Sequence, residues 1–301
     1  MATSEDNLQQ QAGLETEAYQ ATVAEQGQEH EQTTEVSHES TLFAEPVFNI
    51  GNFTVTNSLL NSWLAVLIIV VASLSLSSKV KRVPGRLQSL VELMIDGALN
   101  LMDSVTGDRK VSSKIFPLIF SIFIFILINN WLGILPGIGS IGFIESGQGH
   151  NIFVPLFRGG TADINTTLSL ALFAVIAANV FGIMTVGAWK YFNKFVNLKT
   201  LAATPKEALK NPTALVVNPI KFFVGAIEIV GEVAKVASLS FRLFGNIFAG
   251  EVLLAAMAAI FVYALPIPFL FLEVGIGVLQ ALIFALLSLV YFTIAAQDEA
   301  H

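Results

Sequence analysis

The stretch VASLSFRLFGNIFAGEVLLAAMAAIFVYA, residues 236–264, decides the fold class of this chain. Its charged residues are Arg242 and Glu251 alone. An apolar run of about 20 residues or more is long enough to cross the hydrocarbon core of a bilayer. An arginine at that depth costs about 2.5–3.5 kcal/mol on insertion scales. A structural interpretation of Arg242 is that it forms a pair within the protein, or that its long side chain extends its charge towards the membrane surface. We favour a functional role, in which Arg242 gates, pairs with or repels an ion, and we predict an ion-translocating membrane protein.

The composition of the whole chain agrees with this class. Apolar residues make up 54% of the 301 residues, charged residues only 13%, and the mean hydropathy is +0.68. Cysteine is absent, which excludes disulfides and thiolate metal sites. Neither a metal nor any other cofactor is expected. The net charge of −7 comes mostly from residues 1–45, which hold 10 of the 23 acidic residues and no Lys or Arg. This segment is predicted to be a disordered, acidic, external tail.

The rest of the chain, residues 46–301, is predicted to be an all-α polytopic membrane domain with five membrane-crossing helices. One further segment has apolar residues at helical spacing on one side and polar residues on the other, which is typical of a helix on the membrane surface or against a partner. The predicted elements are a first span at 57–78, the surface amphipathic helix at 85–108, a second span at 114–135, a third span at 163–189, and two long segments at 219–262 and 266–297.

The last two segments are too long to cross a bilayer upright. As one helix, residues 221–262 would run about 63 Å, and crossing a core of about 30 Å would need a tilt near 60°. That tilt lies far beyond the usual range of about 0–40°. Either the helices break at a glycine, such as Gly245 or Gly250, or they form a strongly inclined hairpin. We favour the inclined hairpin, because such helices could wrap around the side of another membrane object.

The distribution of basic residues predicts the orientation. The first of the 16 Lys and Arg residues is Lys79, and the others concentrate after the first span, before the second and after the third. The Gly-rich connection at 136–160 holds only Arg158. Because short cytoplasmic loops are enriched in Lys and Arg, the amino terminus is predicted to be outside. Five crossings then put the carboxyl terminus in the cytoplasm.

The polar residues of the long hairpin are ordered by face. At 100° per residue, one stripe within about 80° contains Glu228, Glu232, Lys235, Arg242 and Asn246, with Ser238 on its edge. Glu251 points to the opposite side of the same helix. Glu273 and Gln280, seven residues apart, share one face of the last helix. A helix with Arg on one side and Glu on the other separates two environments.

Each of these polar groups has a structural and a functional interpretation. Glu228, Glu232 and Lys235 fit ion pairing at a solvated cytoplasmic entry, or an aqueous access path. Glu251 and Glu273 have no Lys or Arg nearby in sequence, so they fit a proton relay, or inert, protonated, hydrogen-bonded side chains. Two further residues fit interhelical hydrogen bonds or a channel lining: Asn246 and Gln280.

At these residues the chain resembles subunit a of the F-type ATP synthases, the stator subunit of a proton-driven rotor. Four segments carry the resemblance, and together they lie in the expected order within residues 57–298. They are NNWLGILPG at 129–137, TADINTTLSLAL at 161–172, SLSFRLFGNIFAGE at 238–251 and LQALIFALLSLVYF at 279–292.

The resemblance implies a site. Arg242 would face the ring of subunit c and keep protons from passing directly between two offset half-channels. The external half-channel would contain Glu251, Asn246, Glu273 and Gln280, with Asp163 and Asn165 at its entrance. Glu273 stands where some family members carry His, so the relay here would use two carboxyl groups.

The resemblance also implies partners and a location. The partners would be the ring of subunit c, the peripheral-stalk subunit b, the remaining ATP synthase subunits and membrane lipid. The location would be an energy-coupling membrane, with the bacterial inner membrane favoured over a chloroplast or other organelle membrane. The sequence leaves both protons and sodium ions open as the translocated ion, and no nucleic-acid partner is expected.

Two other classes of protein are alternatives to an ATP synthase subunit a. A secondary transporter could hold an anionic substrate on Arg242 and use Glu251 for proton coupling, but such proteins normally contain internal repeats and none is found. A purely structural subunit could dock through its Lys-rich loops but would not need Arg242. A phosphate-binding loop and a hydrolytic triad are both absent from the sequence, so the chain is expected to have no catalytic site of its own.

Overall fold

The computed structural model describes residues 36–37, 43–78, 80–135, 137, 141–147, 150–189, 191, 214–261 and 264–296. The elements within them are β1 (Val36–Ser37), β2 (Pro46–Ile50), β3 (Phe53–Thr56), α1 (Asn57–Ser77), α2 (Arg86–Thr106), α3 (Arg109–Ile134), β4 (Gly142–Gly147), β5 (His150–Pro155), a short 3₁₀ turn (Gly160–Ala162), α4 (Ile164–Val186), α5 (Ala214–Ile260) and α6 (Pro266–Ala296).

Five helices of the described part are long and apolar enough to cross a membrane: α1, α3, α4, residues 223–260 of α5, and α6. They are 21, 26, 23, 38 and 31 residues long, against the roughly 20 that a bilayer core requires. The prediction of a helical membrane fold with five membrane-crossing helices is therefore confirmed, and the fold is mostly helical rather than all-α. The chain is a multi-pass membrane protein.

The two carboxyl-terminal helices are each continuous. Helix α5 contains 47 residues, which corresponds to about 70 Å, and it does not break at Gly245 or Gly250. It begins five residues before the predicted start at 219. Helix α6 is likewise unbroken over its 31 residues. Continuity removes the alternative of broken helices, whereas the inclination of the pair to a membrane stays a prediction.

The helices pack around a core of aliphatic and small residues. Ile122 and Ile126 of α3 meet Leu239 and Leu243 of α5, and Phe284 of α6 is buried among them. Helix α4 enters this core through small residues that let neighbouring backbones approach closely, as is common between membrane helices: Ala171, Ala174 and Ala178. The core thus fixes the rotation of α5 about its own axis, which decides which residues it turns outward.

Helix α2 lies where the amphipathic helix was predicted. It ends at Gly107, whose left-handed backbone conformation (φ 71°) favours glycine. Met102 packs into the core beside Ile115, whereas Leu87 and Leu93 are 76% and 73% exposed. Exposed leucines are compatible with a membrane surface or a partner, and the surface location itself stays a prediction.

Strands form at one end of the helix bundle, where the sequence predicted none. β4 and β5 make an antiparallel hairpin that ends just before α4, and β2 pairs with β3 immediately before α1. β1, formed by Val36 and Ser37 within the segment predicted to be a disordered tail, pairs in parallel with β5, and the disorder of that segment stays a prediction. The described backbone from Phe43 continues directly into β2. Residues 1–35 and 38–42 of that predicted tail lie outside the described residues.

Candidate functional site

Arg242 lies on the outer face of α5, near the middle of its membrane-crossing part. Its side chain is exposed, as are Ser238 and Asn246 one turn before and after it. The Arg242 Nη2 donates a hydrogen bond to Ser238 Oγ at 3.3 Å. The adjacent Leu239 and Leu243 are each only 1% exposed. Helix α5 therefore presents a short polar row, centred on a guanidinium, on a face that the bundle does not cover.

Towards the amino-terminal part of α5, the same stripe turns into the bundle. Glu232 accepts hydrogen bonds from Lys235 Nζ at 2.6 Å and from Asn179 Nδ2 of α4 at 3.2 Å. Lys235 Nζ also lies 5.2 Å from the centre of the Tyr291 ring of α6, within cation–π range. Glu232 and Lys235 thus form an i, i+3 ion pair, one of the two interpretations that the sequence leaves open. Glu228 is partly buried one turn earlier.

Tyr191, just beyond the end of α4, completes this group, which we call the Glu232 cluster (Asn179, Tyr191, Glu232, Lys235, Tyr291). Its hydroxyl donates to Asn179 Oδ1. Burial, and then the carboxylates of Glu232 and Glu228, raise the pKa of Tyr191 to about 12. The phenol therefore keeps its proton at physiological pH and remains a donor.

Glu251, towards the other end of α5, points into the bundle and is paired with a cation. The Arg158 Nε lies 3.0 Å from Glu251 Oε1 and 3.2 Å from Oε2, and Arg158 Nη2 donates to Oε2 at 3.0 Å. Arg158 is only 6% exposed. Glu251 has no Lys or Arg nearby in sequence, but a residue 93 positions away supplies an ion-pair partner. The fork of two parallel bonds is the strong form of this interaction.

Glu273 of α6 is the second carboxyl group at this end of the bundle. It is 4% exposed, and its carboxyl group lies directly over Gly250 of α5. A Cβ at position 250 would overlap all three atoms of that carboxyl group. Among the described residues, Glu273 has no hydrogen-bond or ion-pair partner. Glycine at 250 therefore makes the space that Glu273 occupies, next to the paired Glu251.

Asn130 of α3 connects this carboxyl group to the interior of the bundle. Its Nδ2 donates to the carbonyl of Gly277 at 2.9 Å, and Gly277 lies between Glu273 and Gln280 on one face of α6. Gln280 is 8% exposed, so Glu273 and Gln280, which the spacing predicts on one face of this helix, are both buried. Thr161 Oγ1 donates to Asn130 Oδ1 from the turn before α4.

A buried polar seam continues from Asn130 to the end of the bundle that carries the β4–β5 hairpin. Its members are all less than 10% exposed, and most of them lie in helices that are otherwise apolar. Asn129 Oδ1 accepts from Ser62 Oγ at 3.2 Å and from Asn61 Nδ2 at 3.4 Å. Asn61 Oδ1 is buried without a hydrogen-bond partner. The seam consists of Asn57, Ser58, Asn61, Ser62, Asn129, Asn130, Thr161 and Asp163.

Asp163 and Asn165 lie where α4 begins, at the outer end of the seam. The Asp163 carboxylate caps α4 by accepting from the Asn165 backbone N–H at 3.2 Å, and it accepts from Ser58 Oγ at 3.3 Å. Asp163 is 3% exposed, whereas the Asn165 side chain is exposed. These two predicted entrance residues therefore join the seam to the surface.

Arg242 lies between two partly buried polar groups, the Glu232 cluster and the paired Glu251. Along α5 it is ten residues from Glu232 and nine from Glu251, or about 15 Å and about 14 Å. The aliphatic residues around Leu239 and Leu243 fill the interior between them. The two polar groups are therefore separated inside the chain by an apolar core and outside it by an arginine.

Sequence reasoning missed several residues of this arrangement. Asn179, Tyr191 and Tyr291 lie on elements far apart in the chain, and no local pattern joins them. For the seam a signal existed, since Asn57 and Asn61, like Ser58 and Ser62, are spaced by four in an otherwise apolar span.

A protein-family model and several similar known proteins point to the same family. The family model described as ATP synthase A chain matches residues 59–293. The ATP synthase subunit a of Syntrophobacter fumaroxidans is 32% identical over 258 residues, covering 85% of this chain and 91% of the relative. Those of Mycobacterium bovis and Mycobacterium ulcerans are each 33% identical, covering 84% and 82% of this chain and 92% and 89% of the relatives. The chain belongs to the ATP synthase A chain family, whose members include these subunits a.

Proposed function

We propose that this chain is the proton-translocating stator subunit of a rotary F-type ATP synthase. In this role it provides two offset half-channels to a rotating ring of subunit c, and Arg242 prevents direct leakage between them. One observation carries the proposal: an exposed arginine on α5 lies about midway between two polar groups, the Glu232 cluster and the paired Glu251. Family membership supports the coarser part, that the chain acts as an ATP synthase subunit a.

The external half-channel would run along the polar seam. A proton would enter near Asp163 and Asn165, pass Asn129 and Asn130, and reach Glu273 on the face that it shares with Gln280. Protons move between hydrogen-bonding groups and ordered water, and the seam supplies such groups through a core that is otherwise apolar. From Glu273 the proton would pass to a carboxyl group on the ring, near Asn246.

The cytoplasmic half-channel would end at the Glu232 cluster. A ring carboxyl group that has turned through the lipid would release its proton on the Ser238 side of Arg242. From there the proton would leave past Lys235, Glu232 and Glu228. Because the donors Lys235 and Tyr291 lie close to Glu232, the cluster would hold water and charge at this end of the bundle.

Arg242 would act by its permanent charge. A guanidinium keeps its proton at every physiological pH, so it cannot itself hand a proton across. It would attract a deprotonated ring carboxylate and repel a proton moving from one half-channel to the other. Each proton driven through about 100 mV yields about 2.3 kcal/mol, which a leak would dissipate.

Crosslinking tests which face of α5 meets the ring. The chain contains no cysteine, so a single introduced Cys gives an unambiguous product. Ser238→Cys and Asn246→Cys, both at exposed positions, should crosslink to Cys in the outer helix of subunit c in assembled complexes. Leu239→Cys and Leu243→Cys are matched controls, because both side chains are buried in the same turns. Crosslinks from the controls, with none from the exposed positions, would overturn the proposal.

Labelling from one side tests the orientation. Asn165→Cys, at an exposed position, should react with a membrane-impermeant maleimide added to the external side of intact cells. Reaction only in inverted vesicles would mean that the two half-channels have been assigned to the wrong sides.

A further inference from the structure

Helix α2 has an apolar side that the bundle does not cover. Met102, 4% exposed, marks the side that is turned to the bundle. A second apolar side lies about 90° from Met102 around the helix, at 100° per residue. Its four members, which we call the apolar stripe, lie within about 60° of one another. They are Leu87, Leu90, Met94 and Leu101, which are 76%, 56%, 47% and 43% exposed.

The opposite side of α2 is acidic. Three carboxyl groups lie within about 40° of one another, centred about 170° from the apolar stripe. This acidic stripe consists of Glu92, Asp96 and Asp103. Glu92 and Asp96 are exposed, and Asp103 is partly buried. The exposed surface of α2 is therefore divided into an apolar side and a negatively charged side that face in nearly opposite directions.

The connection from α1 to α2 brings basic residues to the start of the apolar stripe. We call them the basic turn, and they are Lys81, Arg82 and Arg86. All three are exposed, and in the described part of the chain none of them forms an ion pair. Val83, between them, is 82% exposed. Helix α1, one of the helices that can cross a membrane, ends at Ser77. The basic turn therefore follows directly after a membrane crossing.

Gln88 fixes the basic turn against the first part of α2. Its Oε1 accepts a hydrogen bond from the Lys81 backbone N–H at 3.0 Å, and its Nε2 donates to the Lys81 carbonyl at 3.0 Å. The same Nε2 donates to Glu92 Oε1 at 2.9 Å. One side-chain amide thus satisfies both backbone groups of Lys81, and this pairing holds the turn next to Leu87 and Leu90.

The order of these three surfaces fits an anionic lipid surface. A helix in the membrane interface buries its apolar side among the acyl chains and turns its polar side to water. With the apolar stripe buried in this way, the acidic stripe faces away from the phosphate groups, and the basic turn lies at their level. Basic residues beside a membrane attract anionic headgroups. An apolar groove in a protein would cover the stripe equally well, but it would not require this order of charges.

We infer that the basic turn and the apolar stripe together bind an anionic phospholipid. The phosphate contacts the basic turn, and the acyl chains cover the stripe. Arginine suits this task because its planar group of N–H donors matches the oxygens of a phosphate. The inference goes beyond proton translocation: it gives the connection between the first two crossings a lipid-binding role of its own.

Quenching by brominated phospholipids tests both parts of the site with one probe. The chain contains no cysteine, so Leu90→Cys carries a single fluorophore. In vesicles containing the full-length chain, phosphatidylglycerol with brominated acyl chains should quench this fluorophore with an apparent affinity at least about tenfold higher than brominated phosphatidylcholine. Asp96→Cys, on the acidic stripe, is the matched control and should be quenched little by either lipid. Met94→Cys, one turn further on, gives the same test should Leu90→Cys fail to fold.

Matched charge changes identify the residues that hold the headgroup. Replacing all three members of the basic turn by Gln should bring the preference for phosphatidylglycerol to within about twofold of parity, because each basic residue near an anionic surface changes binding about fivefold. The control variant Arg109→Gln/Lys110→Gln/Lys114→Gln removes three basic residues beyond the other end of α2, where Arg109 already pairs with Asp103, and should keep the preference.

Three results would overturn the inference. Stronger quenching at position 96 than at position 90 would place the wrong side of α2 in the bilayer. Equal quenching by the two lipids would mean that the stripe contacts the bilayer without an anionic site. Quenching that disappears in the assembled complex would mean that a protein partner covers the stripe. Since none of these measurements involves proton transport, their failure would leave the proposed function untouched.

Discussion

Replacing Gly250 by alanine should displace Glu273 while leaving both helices formed. The new Cβ would overlap the carboxyl group that now lies against the Gly250 Cα. Ordinary contact with a Cβ needs 3.4–4 Å, so the carboxyl group has to retreat by about 1 Å or more. Alanine itself favours the helical conformation over glycine by about 0.5–1 kcal/mol, which offsets part of the packing strain.

The magnitude follows from this displacement. Forcing Glu273 out of a favoured rotamer costs about 0.5–1.5 kcal/mol, which α5 and α6 can absorb without unfolding. A misplacement of about 1 Å at a reacting group can lower a rate by about 100-fold. We therefore expect proton flux through the Gly250→Ala complex to fall between about 10-fold and 100-fold, with the amount of assembled complex little changed.

ATP-driven acidification of inverted vesicles, followed with a pH-sensitive dye and divided by the amount of complex, measures this effect. Gly275→Ala is the matched control, because position 275 on α6 has open space around its Cα and should pump normally. Gly250→Ala combined with Glu273→Asp, a side chain shorter by one methylene, should recover part of the flux. Wild-type pumping by Gly250→Ala alone would refute the claim that Glu273 acts from this position.

Three further predictions concern other parts of the chain. Glu273→Gln should lower proton flux in the same vesicle assay, whereas Glu273→His should keep part of the flux, since His can also relay protons. Equal flux through the two variants would contradict a proton relay at residue 273. Hydrogen bonding to the Ser112 hydroxyl, and then to the Arg109 guanidinium, holds the pKa of Asp103 below its ordinary value of 3.8. Ionised Asp103 therefore stabilises the folded state above pH 3.8, and this stabilisation is lost as the pH falls through the lowered pKa. Asp103→Asn should accordingly lower the thermal unfolding midpoint of the detergent-purified chain at pH 7, with a difference that shrinks below pH 3.8; a constant difference would contradict this. Gly160→Ala should reduce the amount of assembled complex at least severalfold on quantitative blots, because its Cβ would collide with Asn129 and Ser62, whereas Gly97→Ala, in open space on α2, should not.

The helices could be predicted because their signals are local. Apolar runs and the period of 3.6 residues gave the five spans, mostly within a few residues of their observed ends. Two helices begin five residues earlier than predicted: α5 begins at Ala214 rather than 219, and α3 begins at Arg109 rather than 114. Asp108, whose side chain accepts from the Lys110 N–H, caps the helix there and adds a polar first turn that hydropathy alone does not detect.

The site could be predicted only where it lies on one helix. The spacing from Glu232 to Glu251 predicted that Arg242 and Glu251 lie on opposite faces of α5, because both positions follow from one helical period. The partner of Glu251 could not be found in this way. Arg158 comes from a Gly-rich connection with no periodic signal, and it meets α5 only because Gly159 and Gly160 allow close packing against α1 and α3.

The strands escaped prediction for a similar reason. β4 and β5 lie in a stretch rich in glycine, which is unfavourable in strands, and β1 follows a polar segment with few apolar residues. Their pairing depends on the rest of the fold, which brings Val36 beside Asn151 across more than a hundred residues of chain. Pairing over such distances produces no pattern within a short stretch of sequence.

The charge of Arg242 is the central claim, and Arg242→Ala tests it most directly. We expect the complex to assemble with a normal amount of this subunit, because Arg242 is exposed and its hydrogen-bond acceptor, the Ser238 hydroxyl, needs no ion pair. ATP-driven proton pumping should be abolished, since nothing then separates the two half-channels. Arg242→Lys should also fail if a permanent planar charge is required. Normal ATP-driven pumping by the assembled Arg242→Ala complex would contradict the account.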